Sequence, residues 1–167
     1  MKYLPFENIT YKTKLESEEA LNRLGNVIEA KKTFRMTGLF GSVNHNPYEG
    51  SIHGNSFKIN RIIGYRNSFL PQITGVIEKD YSGTKIKVKM RLHTFVIVFL
   101  IIWVGIVGIA CLSFLSMMFT SQDFQPMNLI PFGMLIFVYA LVTGGFKYES
   151  IKSKKYLAQL FEAEIEQ

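Results

Sequence analysis

The spacing of apolar positions changes several times along this chain, and each change predicts a different element. In residues 8–15 (NITYKTKL), Ile9, Tyr11, Thr13 and Leu15 alternate with more polar neighbours, which predicts a first strand. The period then lengthens. Ala20, Leu21, Leu24, Val27 and Ile28 recur at helical spacing and predict an amphipathic helix ending near Glu29 or Ala30. Ser17 is placed to cap it, and Glu18 and Glu19 fall in its first turn, where the helix dipole favours negative charge. Residues 36–47 carry Gly, Asn and Pro with only short apolar pieces, so a loop is expected there. Phe34, Leu39 and Phe40 suit a flap, Thr37–Pro47, over an apolar surface.

Alternation returns at Tyr48. A strand, the type II′ turn Gly54-Asn55 and a returning strand SFKINRII form a hairpin, with Phe57, Ile59 and Arg61 on one face. A third strand is predicted from about Leu70 to Lys79, with Pro71 at its start, where a missing N–H does least harm. Asp80–Gly83 makes the next turn. The fourth strand, TKIKVKMRLH, is the most regular: Ile86, Val88, Met90 and Leu92 face one way, and Lys85, Lys87, Lys89, Arg91 and His93 face the other.

After this strand the polar positions stop. About 25 residues from Phe95 to Phe119 carry no charge, and a second uncharged run spans Phe124 to Phe146. A helix of about 25 residues reaches roughly 37 Å, against a hydrocarbon core of about 30 Å. Two transmembrane helices are therefore expected, at about 95–119 and 126–146. In the tail, Ile151, Leu157, Leu160, Phe161 and Ile165 form an apolar stripe that predicts a further helix. The fold class expected is α+β: an antiparallel β-meander with one packed helix in residues 1–93, a transmembrane hairpin in 94–146 and a C-terminal helical tail in 147–167.

Charge fixes the expected orientation. The chain carries a net charge of +6, and residues 1–93 hold 15 Lys and Arg against 8 Asp and Glu. The loop between the spans holds only Asp123, whereas KYESIKSKK follows the second span. By the positive-inside rule both termini are expected in the cytoplasm, in a two-pass protein of the cell membrane. The lone cysteine, Cys111, lies in the first span and excludes an internal disulfide. The first residues lack a continuous apolar h-region, so the first span is expected to act as its own insertion signal.

Candidate chemistry is sparse. The chain has no HExxH, CxxC, GxxxxGK[ST], GxSxG or GxGxxG. His45, His53 and His93 lack ligand spacing, and no catalytic residue, metal or cofactor is implied. No nucleic-acid motif is present. The spans hold no Asp, Glu, Lys, Arg or His, which argues against a proton relay. In RIIGYRNSFLP, Arg61, Arg66 and Asn67 are candidates for an anion or headgroup, because guanidinium pairs with phosphate and carboxylate in fork geometry. Lys85, Lys87, Lys89 and Arg91 form a basic strand running into the first span, where each cation near an anionic leaflet contributes roughly 1 kcal/mol. Gly105, Gly108, Ala140 and Gly144 are small residues that let helices approach closely, within the hairpin or between copies.

The stretch Tyr48–Trp103, with its F-x-I-x-R-x-I-x-Y-R-N-S-F-L-P-like run passing through a basic strand into a two-span hairpin, resembles a group of small uncharacterised bacterial membrane proteins. That resemblance brings no site with it. The order strand, helix, flap and four-strand meander is also similar at fold level to the beginning of helix-grip (START-like) lipid-binding domains, which end in a long helix packed across the sheet.

The expectation is thus a non-enzymatic integral membrane protein whose small cytoplasmic domain binds a partner protein or anionic lipid at the inner surface. Two alternatives stand beside it. One is a helix-grip-like carrier or sensor of an apolar ligand. The other is an oligomeric membrane effector or pore, assembled through the hairpin or the tail.

Overall fold

The computed structural model describes residues 4–30, 46–81, 83–120 and 126–166. Its elements are β1 (Phe6–Thr13), α1 (Ser17–Asn26), β2 (Ile28–Glu29), β3 (Tyr48–His53), β4 (Ser56–Arg61), β5 (Gln72–Asp80), β6 (Gly83–Arg91), α2 (Thr94–Thr120), a short 3-10 turn (Pro126–Leu129), α3 (Ile130–Leu160) and β7 (Glu164–Glu166). The strands form one seven-stranded sheet in the order β2-β3-β4-β5-β6-β1-β7. The fold is α+β, and two of its helices, α2 and α3, are long and apolar enough to cross a membrane.

The alternation read from β1 and β6 sets the core. Ile9, Tyr11, Ile86, Val88 and Met90 are buried on one face of the sheet, with Phe57, Ile59, Ile73 and Ile77 beside them. Gly54 has the positive φ, 54°, that the hairpin turn asks of its first residue. Of α1, Ala20 and Leu24 are buried in the same core.

Three features depart from the meander expected. The sheet is mixed, because α1 ends at Asn26 and Ile28–Glu29 pairs in parallel with Tyr48–Glu49. Gly25 and Asn26 are poor helix formers and close the helix before Ile28. Ser17 does not cap α1. Glu16 holds the cap position without a side-chain bond, and Ser17 Oγ lies 3.3 Å from Thr84 Oγ1 in the interior. Finally, a second helix packs on the sheet. The C-terminal half of α3 buries Phe146, Glu149, Ser150, Ser153 and Leu157, and Phe161 follows. The tail is therefore helical only to Leu160. Its chain then turns and Glu164–Glu166 pairs antiparallel with Thr10–Lys12. The expected stripe also shifts, and Ile151 is exposed.

Residues on both flanks of the hairpin share one core, since Phe146, Leu157 and Phe161 cluster with Tyr11, Tyr48 and Ile86. The α2–α3 hairpin is thus an insertion within the domain. Pro131 sits in the first turn of α3, where its missing N–H costs little, and it produces no kink there. The two helices contact each other, and among the described residues Val107 and Cys111 are buried on α2 and Val142 on α3. The small residues are not at that seam. A Cβ added at Gly105, Gly108 or Gly144 would meet nothing within 4 Å, and Ala140 is exposed.

Candidate functional site

α3 is 31 residues long, about 46 Å, which exceeds a hydrocarbon core by about 16 Å. From Gly145 onward, three clamps hold α3 to the sheet and to the loop between β4 and β5. Asn67 Nδ2 donates to the Gly145 carbonyl at 3.1 Å, and Asn67 Oδ1 accepts from the Phe69 N–H at 2.9 Å. Lys147 Nζ pairs with Glu7 on β1 at 2.7 Å, both largely buried. Glu149, fully buried, accepts from Arg61 Nη1 at 2.8 Å and from the Tyr65 hydroxyl. That bond holds the Tyr65 phenol in its neutral form, with its pKa pushed up to about 12.

The loop between β4 and β5 is therefore a collar around α3. Arg61, Arg66 and Asn67, expected as one anion site, are divided by it. Glu149, absent from the candidate residues, neutralises Arg61. Asn67 spends both ends of its amide on the collar. Arg66 alone stays exposed, with no ion pair among the described residues. The signal for Glu149 was a lone carboxylate among Lys147, Lys152, Lys154 and Lys155, which reads as a solvated helix face until the sheet covers it.

Further along the helix, Tyr48 and Ser153 meet in the interior. Neither hydroxyl has a hydrogen-bond partner in good geometry among the described residues. Burial pushes the Tyr48 phenol up to about 12, although the neighbouring Ser153 hydroxyl and Arg61 pull the other way.

Pairing between β1 and α3 gives the direction of the sheet. Lys147 contacts Glu7, and the Tyr11 hydroxyl donates to the Lys154 carbonyl at 3.2 Å. Four residues of strand, about 14 Å, thus match seven of helix, about 10 Å, so β1 runs beside α3 away from the hairpin. β6 is antiparallel to β1 and runs back toward it, ending at Arg91 opposite Phe6.

The outer face of the sheet is accordingly a series of cross-strand rows. The row nearest the hairpin holds Glu49, Asn60, Gln72, Arg91 and Phe6. The next, about 7 Å further out, holds Ser51, Lys58, Thr74, Lys89 and Asn8. Lys87 and then Lys85 lie in the third and fourth rows, about 14 and 20 Å away. The four cations of the basic strand are therefore spread along the axis of the domain.

Their pairing differs too. Lys87 binds Glu78 at 2.7 Å, and Lys12 and Lys85 share Glu166 at 2.8 and 3.2 Å. These lysines lower the Glu166 carboxyl pKa below its usual value, chiefly through the hydrogen bond from Lys12. Lys58, Lys89 and Arg91 make no ion pair among the described residues. On this face, the cations far from the hairpin carry their own carboxylates, and those near it do not.

The chain matches no family model, no curated protein and no solved structure.

Proposed function

We propose that this is a two-pass membrane module whose α+β domain sits at the cytoplasmic face and engages anionic lipid headgroups, without a catalytic step. Because both flanks of the hairpin share one core, they lie on the same side of whatever α2 and α3 cross. The charge bias of those flanks favours the cytoplasm. The observation that carries the reading is the segregation of cations. Arg66 on the collar and Arg91 at the end of β6 stand beside the hairpin with no ion pair among the described residues, where a nearby anionic surface would act on them with little screening. Lys85 and Lys87, further away, are already neutralised.

The test uses the full-length protein in nanodiscs of phosphatidylcholine with a minority of phosphatidylglycerol, released for native mass spectrometry. The wild type is expected to keep acidic lipid in preference to phosphatidylcholine. At about 1 kcal/mol per cation, the Arg66→Ala/Arg91→Ala pair should weaken that preference roughly 30-fold. Equal retention of both lipids by the wild type, or an unchanged preference in the variant, would end the reading.

A second reading, assembly through the hairpin, draws on one observation. Gly105, Ala140 and Gly144 are turned away from the intramolecular seam and leave smooth outer faces on both helices. A defined oligomer in the same spectra would favour it, and a strictly monomeric mass would count against it. The apolar-carrier alternative depends on the flap at 37–47, most of which lies outside the described residues.

A further inference from the structure

The second cross-strand row has a shape as well as a charge. On the central strand β5 the outer side chains Thr74 and Val76 are short, while β4 and β6 on either side carry Lys58, Lys87 and Lys89. The result is an open trough of about 530 Å³ along β5, with His53 at its outer end. Thr74 is the direct cross-strand neighbour of both Lys58 and Lys89, so their Cα atoms stand about 10 Å apart with a hydroxyl between them. Two lysine stems reach easily to a group centred over Thr74. The one carboxylate in the trough, Glu78, is bound by Lys87 and leaves the Lys58–Lys89 pair its full charge.

We infer that this trough binds a phosphate monoester. Two unpaired cations match a dianion, and a monoester carries about −1.5 to −2 at neutral pH, whereas a phosphodiester carries one charge. Ammonium groups serve as point-charge donors to phosphate oxygens, and the Thr74 hydroxyl, which donates to the Lys89 carbonyl at 3.4 Å, turns to the anion as a third contact when the ligand binds. Val76, about 41% exposed, offers an apolar shelf beside the anion for the carbon skeleton of the ligand. The same chemistry is presented by a soluble phosphorylated compound and by a lipid ending in a phosphate monoester. The lipid source rests on the membrane reading above, since the row lies about 7 Å beyond Arg91. The soluble source does not depend on it.

Two arms separate them. In the first, full-length protein in pure phosphatidylcholine nanodiscs is titrated calorimetrically with glycerol 3-phosphate, with the diester dimethyl phosphate as comparison. In the second, native mass spectrometry compares retention of phosphatidic acid and phosphatidylglycerol from nanodiscs of equal surface charge. Saturable binding of glycerol 3-phosphate indicates a soluble ligand. Preference for phosphatidic acid without soluble binding indicates a lipid.

In whichever arm responds, Lys58→Ala and Lys89→Ala should each weaken binding about tenfold or more, and Thr74→Val severalfold with both charges intact. Lys155→Ala, on the exposed side of α3, should change nothing. Absence of monoester preference in both arms would overturn the inference, as would binding that survives Lys58→Ala/Lys89→Ala. The Arg66→Ala/Arg91→Ala pair should lower phosphatidylglycerol retention while leaving the glycerol 3-phosphate titration intact, so failure of the rim and failure of the trough are read separately.

Discussion

Single side chains at the α3–sheet contact carry costs that their environments set. Glu149 is fully buried, and Arg61 answers its charge. Removing Arg61 leaves the buried carboxylate only the Tyr65 hydroxyl and the more distant Lys152 ammonium at 4.0 Å, so Arg61→Ala should destabilise the domain by roughly 3 kcal/mol, the lower end for a broken buried pair, measured by denaturant unfolding in detergent. Arg61→Met/Glu149→Leu should recover most of that loss, because it removes both charges. If the double variant were no more stable than Arg61→Ala, the pair would not be the cause.

Tyr48 presents the opposite case. Its buried hydroxyl has no hydrogen bond of good geometry among the described residues, so Tyr48→Phe should be neutral or slightly stabilising at pH 7. Its pKa is raised in the folded state from an ordinary 10.0 to about 12. Stability from that shift is therefore intact below pH 10 and is lost as the pH rises from 10 toward 12, by about 2–3 kcal/mol. Tyr48→Phe should flatten this part of the pH profile, and an unchanged alkaline slope would contradict the assignment. Neither residue was singled out for such a role from the sequence. A carboxylate among lysines and a tyrosine at the start of a strand acquire these properties only from what packs on them.

At the scale of elements, legibility followed periodicity. β6 was readable to the residue, since Ile86, Val88 and Met90 are all buried and Lys87, Lys89 and Arg91 all exposed. The two apolar helices were equally plain. The second half of α3 was not, because its buried face is built of Glu149, Ser150 and Ser153, and a pattern search counts only apolar positions. β7 is three residues, too short to show alternation against the acidic tail around it.

That strand pairs with β1 through its backbone and packs Ile165 on the core, and the Lys12 and Lys85 pairs to Glu166 add a part that should respond to pH. The Glu166 carboxyl has a depressed pKa in the folded chain, so its contribution is present at neutral pH and is lost as the pH falls through that lowered value. The Lys12 partner is raised, and its side of the pair is lost only in strong alkali. Amide exchange of Glu164–Glu166 should therefore accelerate relative to the β5–β6 ladder once the pH falls below the ordinary glutamate range, after correction for intrinsic rates. Glu166→Gln should show the faster exchange already at pH 7. Equal protection in both proteins across the range would mean that backbone pairing and the packing of Ile165 alone hold β7 to β1.

The whole molecule is organised by an insertion. A reading that ends the soluble domain at residue 93 leaves Phe146, Leu157 and Phe161 out of the core, although each is fully buried against strands encoded before the hairpin. Large core side chains contribute on the order of 1.5–3 kcal/mol each, so a 1–93 fragment lacks a substantial part of a typical domain stability of about 5–15 kcal/mol. That fragment should show no cooperative unfolding transition, whereas the full chain should. Because both flanks share one core, a membrane crossed by α2 must be crossed back by α3. In a Cys111→Ala background, a cysteine placed at Ser121 should react with an impermeant maleimide added outside intact cells. One placed at Lys155, on the exposed side of α3, should react only after permeabilisation. Labelling of both positions from the same side would place the loop and the domain together and exclude a hairpin that spans. Labelling of Lys155→Cys from outside with Ser121→Cys protected would keep the hairpin but invert it. The free cations of Arg66 and Arg91 would then face the outer leaflet, where the positive-inside bias gives no reason for them to stand.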